Sequence, residues 1–273
     1  MKIFIFAVSI LLLTCPRARC QDTIQLKKYF GDLKKIDVVI SGKSYSFLFD
    51  TGGGETMISP SLAKTLKKNI HGSVTGFRMS GEIIVYPVCD SITITIGHTK
   101  IFHDITGVWD LMSILPKDFP NLDGAISLKS FENMVITLDL AKNRIIIHQP
   151  GSFKKEAPKK ILLQSRFANG LAGNELNIFL ALDKNRNRYW FLFDSGNIGS
   201  MLFSHKSAYE WGLETDTTNT NKSLGTTSFI LGKKKINTSS ESASIIYDGA
   251  LNYDILSKSI FMIDFEKKKI WME

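Results

Sequence analysis

Apolar runs of five to eight residues alternate with polar turns along most of the chain, and no long amphipathic helix interrupts them. Ile36 to Ile40, the turn Ser41-Gly42-Lys43 and the run Tyr45 to Asp50 predict a hairpin. Beyond it, Ser59 suits a helix N-cap and Pro60 a first helical position, so a short helix is expected through Leu66. Thr75 to Gly81, with strand-like runs on either side, predicts a hairpin that could cover a cleft. Ser91 to Ile96, the Gly97-His98 turn and Ile101 to Val108 add further strand.

Much of this pattern occurs twice. Phe47-Leu48-Phe49-Asp50-Thr51-Gly52 returns as Phe191-Leu192-Phe193-Asp194-Ser195-Gly196, after a predicted hairpin of Asn177 to Leu182 and Tyr189 to Asp194. Met201 to Phe203 and a helix opened by Ser204 follow, as Met57-Ile58 and the Ser59 helix do in the first copy. A second block, Asp123-Gly124-Ala125-Ile126 with a closing hairpin from Ile136 to Ile147, returns as Asp248-Gly249-Ala250-Leu251 with Phe261 to Met272. Asp123 to Asp248 and Asp139 to Asp264 are both steps of 125 residues, so these blocks align without a gap. The repeat implies duplication, with a joint in the polar stretch from Gln149-Pro150 to Lys160. It also favours two modest cores over one large one.

Composition changes the picture at the ends and on the surface. Lys2, the apolar run Ile3 to Leu13 and Ala18-Arg19-Cys20 read as a secretory leader over residues 1–20, and lipid anchoring through Cys15 or Cys20 is the alternative. The formal charge of +8 falls to about +5 without the leader. The remaining basic residues sit in short clusters such as Lys233 to Lys235, which read as solvated turns and not as a nucleic-acid surface. Cys89 would be the one cysteine left, a small buried hydrophobe, and the histidines have no zinc-ligand spacing.

Each repeated acid stands where an apolar strand breaks into a turn, an expensive place for a lone carboxylate. Two equivalent copies imply that each acid's partner is the other copy. An apolar strand ending in Asp-Thr-Gly or Asp-Ser-Gly, followed downstream by Asp-Gly-apolar-apolar and a closing hairpin, resembles the pepsin-like and retropepsin-like aspartic peptidases. The two-copy, single-chain form is similar to the bacterial retropepsin-like type.

The resemblance implies an all-β fold with short helices, in which two homologous β-barrel-like lobes are related by a pseudo-two-fold axis. The N-terminal lobe would span 21–150, the linker 151–160 and the C-terminal lobe 161–273. It further implies an aspartic endopeptidase, in which Asp50 and Asp194 share a proton and activate a water by general acid/base chemistry. Thr51 and Ser195 would bond across to the opposite loop, Gly52 and Gly196 would bring amides to the carboxylates, and Asn197 could donate to its acid. Phe77 or Tyr86 would be the aromatic of the covering hairpin. Asp123 and Asp248 are expected to be structural, and Asp139 and Asp264 turn acids.

Ser127 and Asn252 depart from the family pattern, which has glycine there, and Gly53 replaces a hydroxyl residue. The alternative is therefore a catalytically silent peptide- or protein-binding module on the same scaffold. Both readings need no cofactor or metal, expect a peptide or protein partner and a monomer, and place the chain outside the cell or in the periplasm.

Overall fold

The structure is a computed structural model and describes residues 21–149, 160–213 and 221–273. The expected leader and nearly all of the expected linker lie outside the described residues. Among the described residues the fold is mostly β, with three sheets and a few short helices.

The first predicted hairpin is present as strands Lys34–Ile40 and Lys43–Phe49. Its turn places Ser41 and Gly42 at positive φ, the conformation that a tight two-residue hairpin turn requires. The helix Pro60–Thr65 is capped by Ser59, whose Oγ accepts from the Leu62 amide at 3.2 Å. Ser204 caps the helix His205–Glu210 through the Ser207 amide at 3.1 Å. The run from Ile101 to Val108 is broken at Asp104-Ile105 into Thr99–His103 and Thr106–Val108, two strands that pair with different neighbours.

The turn of the long hairpin Lys222–Leu231 and Lys234–Ala243 was legible at Lys233 to Lys235 but its strands were not, because hydroxyl residues take half of the buried positions, beside Phe229, Leu231, Ile236 and Ala243. Thr238, Ser240 and Ser242 are buried, and Thr227 and Ser240 share a hydrogen bond of 2.5 Å between their side chains. A Ser/Thr-rich segment reads as loop by composition; here paired hydroxyls satisfy one another inside the sheet.

The duplicated blocks adopt matching registers. Strand Gly124–Ile126 runs parallel to Lys43–Phe49 with Gly124 opposite Phe47, and Gly249–Ala250 runs parallel to Asn187–Leu192 with Gly249 opposite Phe191. Each acid that precedes these glycines is structural, as expected. Asp123 accepts from the Ser46 amide at 2.8 Å, and Asp248 from the Trp190 amide at 2.7 Å. Asp139 and Asp264 take the amides of Lys142 and Lys267 at 3.1 and 2.9 Å in their turns.

The two closing hairpins pair with each other. Val135–Asp139 lies antiparallel to Phe261–Asp264 inside a six-stranded sheet that draws on both halves of the sequence. Buried side chains accordingly form one large continuous cluster, from Ile36 and Phe47 in the first half to Phe191 and Phe261 in the second, with two small satellites. The expectation of two modest cores is corrected, for the shared sheet merges them. Cys89 is buried and free.

Candidate functional site: a carboxyl pair beneath a hairpin

Strand Lys43–Phe49 buries Phe47 and Phe49 and ends at Asp50, and Phe191 and Phe193 are buried just before Asp194. Alternate residues point into the core, so each acid emerges at the strand end with its turn anchored from below. The Asp50 amide donates to Ile126 O at 3.1 Å and the Leu251 amide to Leu192 O at 2.9 Å, tying each turn to its downstream block.

The two turns interlock. Thr51 Oγ1 donates to Phe193 O at 2.7 Å and accepts from the Ser195 amide at 2.8 Å, while the Thr51 amide donates to Ser195 Oγ at 3.1 Å. Both hydroxyl residues are buried. Asp50 Oδ1 accepts from the Gly52 amide at 2.8 Å, and Asp194 Oδ1 from the Gly196 and Asn197 amides at 2.8 and 3.1 Å. Each glycine also makes room for the opposite acid. A Cβ on Gly52 would fall 2.4 Å from Asp194 Cγ, and one on Gly196 2.7 Å from Asp50 Cγ.

The structure thus brings together Asp50, Asp194, Thr51, Gly52, Ser195, Gly196 and Asn197. Asn197 acts through its backbone, however; its side chain donates to Ser200 O at 3.0 Å and accepts from the Gly199 amide at 3.2 Å. Ser127 and Asn252, the two departures from the family pattern, cap the short helices behind the site by accepting from the Lys129 and Ile255 amides.

The two carboxyls interact directly, and burial raises both above the ordinary carboxylate range. For Asp50 the Gly52 amide and the Asp194 bond oppose that rise. Asp194 is raised further, because the charge of Asp50 adds to its burial. The pair therefore holds a proton where a solvated aspartate would have lost it. Since the folded chain binds that proton more tightly than the unfolded chain, stability contributed here falls as pH rises above the ordinary aspartate value of 3.8 through the folded values. Asp194→Asn keeps the shape of the protonated acid. It is expected to raise the urea midpoint at about pH 7 and to leave it unchanged at about pH 3. An equal loss of stability at both values would contradict a shared proton.

Phe77 closes strand Ile70–Phe77 and lies half exposed on the cleft wall. Tyr86, on the returning strand Ile83–Cys89, is buried and donates to Glu55. The tip of this hairpin reaches the second half, where the Ile246 amide donates to Met79 O at 3.0 Å. Below it lies a cleft of about 230 Å³, with Asp50, Glu55 and Glu175 among apolar walls that include Leu48, Met57 and Trp109.

Glu55, Asn174 and Glu175 were missed by the sequence reading. Glu55 follows Gly52-Gly53-Gly54 directly and could have been noticed; Asn174 and Glu175 belong to no repeated block and carried no signal. Asn174 Nδ2 donates to Glu55 Oε2 at 2.7 Å. Burial raises Glu55, against the Tyr86 and Asn174 bonds, and burial likewise raises Glu175.

Fold and site together define a mostly-β scaffold in which two interacting carboxyls with raised proton affinity stand at a hairpin-covered cleft that Asp50 lines. Among solved structures the chain is similar to the basic 7S globulin from soybean, at 7% identity and a TM-score of 0.56, over 93% of this chain and 94% of that one. It is also similar to conglutin gamma, a basic 7S globulin from lupine seeds, at 9% identity and a TM-score of 0.56, again over 93% and 94%. At such identities the likeness shows the fold alone. No family model and no curated protein matches the chain.

These findings correct the sequence reading in three respects. Membership of the pepsin-like or retropepsin-like aspartic peptidases is not upheld, because the similar solved structures are globulins. The assignment as an aspartic endopeptidase, and the hydrolase and protease description that went with it, fall for the same reason. The physical lesson is that paired Asp-Thr/Ser-Gly turns tie a duplicated β scaffold together, a structural task separate from any reaction.

Proposed function

We propose that the chain is a catalytically silent module that binds an extended peptide or protein segment in the cleft between Asp50 and the covering hairpin. The observation that carries this reading is the carboxyl pair itself. Asp50 lines the largely apolar cleft, and with Asp194 behind it holding a proton the pair offers a donor beside an acceptor, the complement of a peptide N–H and C=O. In this reading the halves form two lobes related by an approximate two-fold axis through that pair. The matching registers of Gly124 with Phe47 and Gly249 with Phe191 support this arrangement. One chain supplies both halves of the site, so a monomer suffices, and no cofactor or nucleic acid is required. In this reading the apolar run from Ile3 to Leu13 is part of a secretory leader, and the module works outside the cell or in the periplasm.

The test is fluorescence anisotropy with labelled octapeptides of mixed apolar and polar sequence at about pH 4 and pH 7, followed by mass spectrometry of the recovered peptide. Saturable binding with the peptide intact is expected. Progressive cleavage of the peptide, or no binding by any octapeptide, would overturn the proposal.

A further inference from the structure

The cleft holds a second acid pair that the shared-proton site does not use. Glu55 comes from the turn after Asp50, Tyr86 from the covering hairpin and Glu175 from the segment before strand Leu176–Lys184. Both carboxyl groups line the cleft. Glu175 reaches the hairpin, since a Cβ on Gly76 would fall 3.0 Å from its Oε1 and 3.2 Å from the Tyr86 ring.

The donors present do not satisfy these acids. The Tyr86 hydroxyl carries one proton to give, and it is committed to Glu55 Oε2, which also receives Asn174. Glu55 is only 4% exposed, yet its Oε1 accepts no hydrogen bond. Among the described residues neither Glu55 nor Glu175 forms an ion pair. Arg78, which also lines the cleft, is paired with Glu82 at 3.3 Å. A nearly buried carboxyl with one oxygen that no protein side chain bonds, beside a second acid and lacking a cation, is costly to ionise by itself. It becomes favourable once a positive group arrives.

Resting on the peptide-binding reading above, we infer that Glu55 and Glu175 form a cation subsite of the cleft that takes the Lys or Arg side chain of a bound peptide. The apolar walls suit the methylene stem of such a side chain, while the charged head meets the two carboxyls. Arg is the better fit, because its planar fork can engage both acids at once.

The test uses the full chain and octapeptides in which a single Arg is moved along the sequence, each compared with its citrulline twin, an uncharged analogue of nearly the same shape. In one register Arg is expected to bind about tenfold more tightly than citrulline, as a new charge-assisted hydrogen bond predicts. Glu175→Gln should abolish that preference. Glu55→Gln, which keeps an acceptor for Tyr86, should reduce it as well. If Arg and citrulline peptides bind equally in every register, the subsite is disproved while the cleft reading stands. Failure of every octapeptide to bind would overturn both.

Discussion

Gly249→Ala is expected to prevent folding or to destabilise the chain by more than about 3 kcal/mol, beyond the usual cost of overpacking a core. An added Cβ would stand 2.1 Å from Phe191 Cε1 and 2.4 Å from Leu202 O. The ring could move only into a core where Phe191 is fully buried and packs edge-on against Phe203 and Trp211. The carbonyl belongs to strand Met201–Ser204, which is paired on both sides, so it cannot swing away. Gly124 occupies the equivalent place, with Met57 O at 2.2 Å and Phe47 Cε1 at 2.6 Å from the same imagined atom. Gly199→Ala is the control. Its Cβ would meet only Asn197 Oδ1 at 3.6 Å, and a change within about 0.5 kcal/mol is expected. Urea unfolding of the three proteins measures the contrast; a mild effect at Gly249 would mean that the crossing strands are not packed as described.

Thr51→Val should cost about 2–6 kcal/mol, since it leaves two buried backbone groups without a partner at about 1–3 kcal/mol each. Valine matches threonine in shape, so packing is nearly unchanged. What disappears is the hydroxyl that donates to Phe193 O and accepts from the Ser195 amide. Ser195→Ala removes only the acceptor for the Thr51 amide and should cost roughly half as much, about 1–3 kcal/mol. Because the two side chains serve one network, the double variant is expected to lose less than the sum of the singles. Additive losses in urea unfolding would show that the hydroxyls act independently.

Both predictions concern positions that the repeat in the sequence marks out. Asp50 and Asp194 were legible because the same six-residue pattern ends both apolar strands. The helices that begin after Ser59 and Ser204 were legible from their capping residues. The strands Lys222–Leu231 and Lys234–Ala243 were not, for hydroxyls that resemble loop composition alternate with apolar residues on their buried face. Glu175 was invisible for a different reason. Its importance comes from Gly76, Tyr86 and Glu55, all far away in the chain.

The resemblance to aspartic peptidases shows how far a motif carries. It located the acids and their turn residues, but a motif describes a local backbone and not the work done there. The globulins that share the fold removed the peptidase assignment.

Local patterns in this sequence determined the strands, the capped helices, the positions of the two acids and the duplication, because each depends on residues within a few places of one another. The duplication also led to the expectation that Asp50 meets Asp194 and that Thr51 and Ser195 bond across, but only the tertiary structure gave the partner atoms of those bonds, merged two repeats into one core through a shared sheet, and set Glu55 beside Glu175. Those contacts join residues more than a hundred positions apart, and their register is set by the packing of the whole sheet system, which no local period encodes.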